Sequence, residues 1–237
     1  MRRILVTRPE AAGRRTAAKL SSMGLEAVVL PLTRIVPLTP KDLPDPQKFS
    51  AVAITSPNAA SHFPPYLAQS IKHVPVFAVG KATGNAARLL GLPPVDEGAG
   101  DAEGLAKRII EAAAPGADIL VLCGCVRRGV LEKRLSQAGL NPYLLETYDT
   151  LPTPPTEREF TAALQALPID VVLLYSGYAA EIFAELAEMP WAAPLLGEAE
   201  YVVISRRVAD LLPPTVRART RVAAEPTEEG ILSLLAC

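Results

Sequence analysis

Cysteine and histidine are scarce in this chain: of 237 residues, three are cysteine and two are histidine. Cys123 and Cys125 are too close in sequence for an ordinary bridge, and with Cys237 the count is odd. Reduced thiols packed as small hydrophobes are expected, and a Cys-x-Cys metal site would lack further ligands beyond His62 and His73. An excess of charge is missing too. Lys+Arg is 24 against Asp+Glu 25, a net charge of −1, which excludes a broad nucleic-acid footprint. No apolar run reaches the ~18 residues of a membrane span. The start, MRRILVTRP, is too short in apolar residues for a secretory segment. A cytoplasmic protein with no membrane and no nucleic-acid partner is expected. No long amphipathic seam is visible, so a monomer is expected.

Familiar nucleotide and nucleophile signatures are absent as well. Arg8-Pro9-Glu10 stands after the first strand where a GxGxxG would begin, and there is no Walker A sequence. Gly98-Ala99-Gly100 leads to Gly104 with one residue too many, and Asp101 and Glu103 would repel a pyrophosphate. No G-x-S-x-G elbow occurs. His62 and His73 have no evident Cys or Ser partner, and ordinary surface or packing roles are expected for them.

What the chain does have is apolar residues, 49% of the total against 21% charged, enough for a sizeable core. They fall in short Val/Ile/Leu runs: Ile4–Val6, Ala27–Leu30, Ala51–Ile54, Val76–Val79, Ile119–Leu122, Tyr143–Leu145, Val171–Leu174, Tyr201–Ile204 and Val222–Ala224. Between most of them lie Ala/Leu segments with helical spacing, such as Arg14–Met23, Ala82–Leu90, Glu103–Ala113, Gly129–Ala138, Ala179–Glu188 and Glu228–Leu235. Continuous apolar strands alternating with helices predict α/β architecture, with parallel sheets covered on both faces.

The chain also repeats itself. Ile4–Leu30 over Ile119–Leu145 gives eight identities in 27 positions, among them Gly24/Gly139, where left-handed helix C-caps are expected. Ser56, Ala59, Ala60 and Phe63 match Ser176, Ala179, Ala180 and Phe183. Glu103-Gly104-Leu105 corresponds to Glu229-Gly230-Ile231. Proline-rich passages at Pro31–Pro46 and Leu151–Pro155 read as stiff crossings. The expectation is an inserted domain at 40–147 and a discontinuous one at 1–34 plus 154–237. Linker strands at 35–39 and 148–153 would join them. Both domains would be five-stranded, doubly wound sheets with a hinge between them.

Ligands of doubly wound sheets bind beyond the carboxyl ends of the strands. The loops there are small, polar and basic: Thr7-Arg8-Pro9, Thr55-Ser56-Pro57-Asn58, Gly80-Lys81-Ala82-Thr83, Cys123–Arg128, Tyr175-Ser176 and Ser205-Arg206-Arg207. Helix N-termini and arginines in such loops suit carboxylates, so a small polyanionic ligand is expected. Plain N-capping is the competing role for Ser56, Asn58, Thr83 and Ser176. Tyr148, at the start of the second crossing, carries a phenol that stays protonated at neutral pH and can donate a proton.

Taken in order, Leu5-Val6-Thr7-Arg8-Pro9, Thr55-Ser56-Pro57-Asn58-Ala59, Val79–Thr83, Gly124 with Arg128, Tyr148-Asp149-Thr150, Tyr175-Ser176 and Ala224–Thr227 span nearly the whole chain. The sequence resembles the uroporphyrinogen-III synthase family in these pieces and their spacing. The resemblance implies two flavodoxin-like domains, one inserted in the other. It implies a cyclising lyase without metal or organic cofactor. The substrate would be hydroxymethylbilane, a linear tetrapyrrole with eight carboxylates, closed with loss of water and inversion of ring D. By the same resemblance Tyr148 assists departure of the hydroxyl. Thr83, Ser56, Asn58 and Ser176 contact substrate, and Arg8 and Arg128 bind its acidic side chains. The pattern departs at Ile204–Val208, where Ser205 and Val208 replace a glycine and a threonine common in the family. A non-catalytic two-domain binder of a small polyanion fits the basic loops equally well, and a nucleotide-sugar enzyme less well.

Overall fold

A computed structural model describes residues 1–41 and 43–236. Its first part contains β1 (Arg3–Val6), α1 (Glu10–Ser22), β2 (Glu26–Val29), β3 (Thr33–Pro37), β4 (Phe49–Ile54), α2 (Pro57–Ser61), α3 (Pro65–Ser70), β5 (Val76–Ala78), α4 (Lys81–Leu89), α5 (Ala102–Ala112), β6 (Asp118–Gly124), α6 (Val130–Gln137) and β7 (Asn141–Pro152). Then come α7 (Glu157–Leu164), β8 (Val171–Leu174), α8 (Gly177–Ala187), α9 (Ala193–Leu196), β9 (Glu200–Val203), α10 (Arg206–Ala209), α11 (Pro214–Arg217), β10 (Thr220–Val222) and α12 (Glu228–Ser233). Contacts divide the chain into two compact units, Met1–Arg34 with Leu151–Cys237, and Ile35–Thr150.

The discontinuous unit holds a five-stranded sheet in the order β10-β9-β8-β1-β2, with every neighbouring pair parallel. The inserted unit holds β3-β7-β6-β4-β5, and its β7–β6, β6–β4 and β4–β5 pairs are parallel. The sequence repeat maps β1, β2, β8 and β9 onto β6, β7, β4 and β5. Both sheets therefore read in one spatial order, and the inserted unit is a circular permutant of the other. Even β10 has a rudimentary counterpart, a single parallel bridge between Phe77 and Asp96 outside β5.

Each sheet is buried on both faces, so its strands carry unbroken apolar runs. In the discontinuous unit Leu5, Val172, Leu174, Tyr201 and Val203 point to one core, and Ile4, Val6, Val171, Leu173 and Val202 to the other. In the inserted unit Val52, Ile54, Val76, Leu120 and Leu122 oppose Ala51, Ala53, Phe77, Ile119, Val121 and Cys123. Helices on both faces complete the doubly wound α/β fold. Gly24 and Gly139 adopt φ of +74° and +76°. Leu25 N–H bonds to Leu20 O and Leu140 N–H to Leu135 O, each at 3.0 Å, closing two identical C-cap motifs at repeat-related positions.

Two expectations need adjustment. The strand expected at Tyr143–Leu145 continues to Pro152, because beyond the apolar run β3 lies beside it and buried Thr147 donates to Ala59 O at 3.0 Å. Cys123 is buried as expected, but Cys125 is only half-buried, its Sγ 3.2 Å from Glu146 Oε2. Cys237 lies outside the described residues. Among the described residues, no helix is long and apolar enough to cross a membrane.

Candidate functional sites

In each unit the central βα crossing leaves two adjacent strands whose following loops diverge, β4 beside β6 and β1 beside β8. The crevice outside their carboxyl ends is where doubly wound sheets take ligands. Polar clusters stand at both.

The inserted unit gathers Tyr148, Ser56, Gly124 and His62. A register shift at Cys123/Gly124 sets Gly124 opposite Tyr148 on β7, and Cys125 N–H donates to Tyr148 O at 3.0 Å. The Tyr148 ring then lies over Gly124. A Cβ there would sit 2.6 Å from the ring's Cζ and 2.9 Å from its Oη, so only glycine admits the ring. The phenol oxygen is 3.1 Å from Ser56 Oγ. Ser56 caps α2, accepting from Ala59 N–H at 3.0 Å, so its Oγ is fixed by the backbone and fixes the phenol in turn. Burial pushes the Tyr148 hydroxyl above its ordinary range, with the Ser56 hydrogen bond working the other way. It is thus a neutral donor throughout the physiological range. His62 lies beside it, ring centroids 6.0 Å apart, with Nδ1 at 2.9 Å from Asn58 O.

The remaining expected residues of this unit fall around that cluster. Asn58 is half-buried in α2 and holds His62 through its carbonyl rather than capping the helix. Thr83, with 2% of its surface exposed, sits in the first turn of α4, which packs on α2. Its hydroxyl makes no hydrogen bond among the described residues, so capping does not occupy it. Arg128 is exposed in the loop after β6 and has no ion-pair partner among the described residues. Its neighbour Arg127 is committed to Glu132 at 2.7 Å and Glu146 at 2.6 Å. Burial pushes the Cys123 and Cys125 thiols up to about 11, so neither is a thiolate at neutral pH.

The discontinuous unit gathers Arg8, Tyr175, Thr16 and Glu228. The Arg8 guanidinium lies over the Tyr175 ring, 4.3 Å from its centroid. Its Nη1 donates to Glu228 Oε1 at 2.8 Å and to Thr16 Oγ1 at 3.1 Å. Thr16 Oγ1 closes the triangle onto Glu228 Oε1 at 2.6 Å, and Lys19 pairs with Glu228 Oε2. Burial works against the Glu228 carboxylate, but Lys19, Thr16 and Arg8 outweigh it and hold the group below the ordinary carboxylate range. The Tyr175 hydroxyl is sealed from solvent with no hydrogen-bond partner in good geometry among the described residues; burial pushes it up to about 12, with nearby Arg8 and Thr16 working the other way. Ser176 caps α8 through Ala179 N–H at 3.2 Å and is exposed. Where the family pattern departs, Ser205 stands at the N-cap of α10 and makes no side-chain cap.

The structure therefore brings Ser56 to Tyr148, and leaves Thr83 and Arg128 without side-chain bonds to that pair. The sequence pointed to an ordinary surface or packing role for His62 and gave no sign of a role for Thr16 or Glu228. A threonine and a glutamate within helical segments carry no local signal of a site. Only the approach of α12 to α1 turns them into partners of Arg8.

Among the described residues no group of three or more His, Cys, Asp or Glu is arranged to hold a metal ion. Comparison with known proteins places the chain. The profile of the family described as uroporphyrinogen-III synthase HemD matches residues 14–233. A uroporphyrinogen-III synthase of Chlorobaculum parvum is 30% identical over 161 residues, 64% of this chain; the match spans 65% of that relative's length. The fold is that of the uroporphyrinogen-III synthetase of Helicobacter pylori, with TM-score 0.67, 18% identity and coverage of 99% and 98% of the two chains. It is similar to a mutant uroporphyrinogen III synthase of Thermus thermophilus, with TM-score 0.60, 16% identity and coverage of 99% and 96%. This chain belongs to the uroporphyrinogen-III synthase family.

Proposed function

We propose that the protein is a uroporphyrinogen-III synthase, a cyclising hydro-lyase that closes hydroxymethylbilane with loss of water and inversion of ring D. The observation that carries the reading is the Tyr148 phenol. It stands neutral and hydrogen-bonded to Ser56 at the carboxyl end of a central crossing, in a chain of this family. Loss of the substrate hydroxyl needs a proton at the departing oxygen. The phenol supplies it, or a hydrogen bond to it, while Ser56 fixes the direction of its O–H. Ring closure without the enzyme gives the uninverted isomer, so the larger task is orientation, to which a pre-organised site contributes several kcal/mol, up to about 11 at best. Arg8 and Arg128 bind acidic side chains of the substrate, and Ser176, Asn58 and Thr83 line its path. The reading includes a soluble monomer in the cytoplasm.

The test generates hydroxymethylbilane in place, adds the protein, oxidises the products and separates the type I and type III isomers. Dominant type III product is expected; type I alone would leave a binder of small polyanions as the function. Tyr148→Phe is expected to lower kcat about 10²-fold, the scale of a positioned proton donor. A change below threefold would remove Tyr148 from the chemistry.

A further inference from the structure

The Arg8 cluster has a geometry that a simple tie between helices does not require. The guanidinium is held by one nitrogen only: Nη1 serves both Glu228 and Thr16. Nε and Nη2, its side-on edge, make no hydrogen bond among the described residues. The group is a quarter exposed, with a side-chain accessibility of 26%. It lies over the ring of Tyr175, the residue that follows β8, so the pair stands at the carboxyl ends of β1 and β8. A guanidinium with its side-on edge open presents two parallel N–H donors, the arrangement that takes one carboxylate bidentately. An arginine side chain free to rotate would lose much of its rotamer freedom on gripping such a ligand. Here that freedom is already spent on Glu228, Thr16 and Tyr175.

We infer that Glu228 is a positioning residue: with Thr16 it anchors Arg8 Nη1 over Tyr175, so that the Nε/Nη2 edge is pre-set for a single carboxylate of an organic polyacid. The inference rests on the proposed reaction only for the identity of that acid. Glu228 does not touch the ligand. Its charge is already balanced by Lys19, so the pair Arg8–Glu228 keeps net positive character toward solvent.

The test is a KM-against-kcat comparison in the isomer assay. Glu228→Gln is expected to raise KM five- to tenfold with kcat within twofold of wild type. Thr16→Val, nearly isosteric, is expected to move KM in the same direction and serves if the glutamine variant does not fold. In an Arg8→Lys background, where no fork exists, Glu228→Gln should have no further effect on KM. An unchanged KM in both Glu228→Gln and Thr16→Val overturns the inference. So does a Glu228→Gln effect that persists in the Arg8→Lys background, since it would then act only by tying helices together. A readout without turnover separates this from the reaction itself. The Arg8 Nε–H signal in 15N-resolved spectra is expected to be sharp in wild type and exchange-broadened in Glu228→Gln. If wild type forms only the type I isomer, the reaction reading fails, and this signal still decides the positioning: equal line widths in the two proteins overturn it.

Discussion

A single missing Cβ sets the position of the phenol. Tyr148 reaches Ser56 because Gly124 leaves room for the ring, and the register shift at Cys123/Gly124 turns that glycine toward it. Gly124→Ala is therefore expected to cost about 1–3 kcal/mol as an overpacking change, and to lower type III formation by swinging the phenol away from Ser56. Urea unfolding and the isomer assay check the two halves separately; normal turnover in a destabilised variant would show that the phenol's position is not critical. Glu228 gives a pH prediction. Its folded-state carboxyl titrates below the ordinary value near ~4.3, which the unfolded chain keeps. Its contribution is thus present above about pH 4.3 and lost as pH falls through the lower, folded value. Glu228→Gln is expected to flatten the acid limb of the stability curve below about pH 4.5, leaving the share of Glu146, held down by Arg127 and Cys125. An acid limb parallel to wild type would refute it. At this scale the sequence was half legible. Ser56 and Arg8 stood out because loops after strands can be found from strands alone, and Tyr148 by its place at the start of the second crossing. Thr16, Glu228 and His62 did not, because their roles come from neighbours distant in sequence.

Elements read well where apolar periodicity was long. The strands β1, β2, β4, β5, β6, β8 and β9 and the helices α4, α5, α6, α8 and α12 coincide with runs visible in the sequence, apart from a residue or two at their ends; α1 starts four residues earlier than its run, β7 extends well beyond its run, and β10 shares only Val222 with its own. The short helices α2, α3, α9 and α11, each opened by or carrying a proline in its first turn, were not distinguishable from loop, since four to six residues hold too little periodicity to register. The repeated Glu-Gly-apolar motif has a physical reason visible only in the fold. Thr227 caps α12 by accepting from Gly230 N–H at 3.0 Å, as Asp101 caps α5 through Gly104 at 2.8 Å. The incoming loop folds back so tightly that a Cβ on Gly230 would lie 2.3 Å from Glu225 O, and one on Gly104 2.1 Å from Ala99 O. Backbone cannot yield as a side chain does, so Gly230→Ala must shift the first turn of α12, which carries Glu228. It is expected to destabilise by about 1–3 kcal/mol and to raise KM as Glu228→Gln does. Thr227→Ala, which removes only the cap, should cost about 1 kcal/mol and leave KM closer to wild type. Equal KM effects from the two variants would mean that α12 is not held in place by this close approach.

Across the molecule, each unit contains its own hydrophobic cores. Every member of the two clusters flanking the sheet of the inserted unit falls within 35–150, and every member of the other two falls outside it. β3 and β7 are neighbours in one sheet, so the two ends of the inserted unit emerge side by side. A segment with closed ends, a doubly covered sheet and its own cores meets the conditions for folding alone. The division was suggested by proline-rich passages, stiff and non-helical, rather than by any motif. The same passages put linker strands at 35–39 and 148–153, which overlap β3 and the far end of β7; the apolar pattern did not mark them, because both gain their place by pairing. The permuted strand order was likewise hidden: the repeat shows which strands correspond but not which neighbours they choose. Residues 35–150 expressed by themselves are expected to unfold in one cooperative urea transition, with far-UV circular dichroism of a mixed α/β protein. The opening apolar strand of the discontinuous unit, by contrast, lies on the far side of the insertion from β8, its partner through Ile4–Val171 and Val6–Leu173. Residues 151–237 alone would lack β1 and β2, leaving β8 with an open edge, and are expected to show no such transition. A cooperative fold in that C-terminal fragment would mean that β1 is dispensable to its sheet. Arg8, the residue that follows β1, would then be placed at the site by the cluster around Glu228 rather than by the sheet.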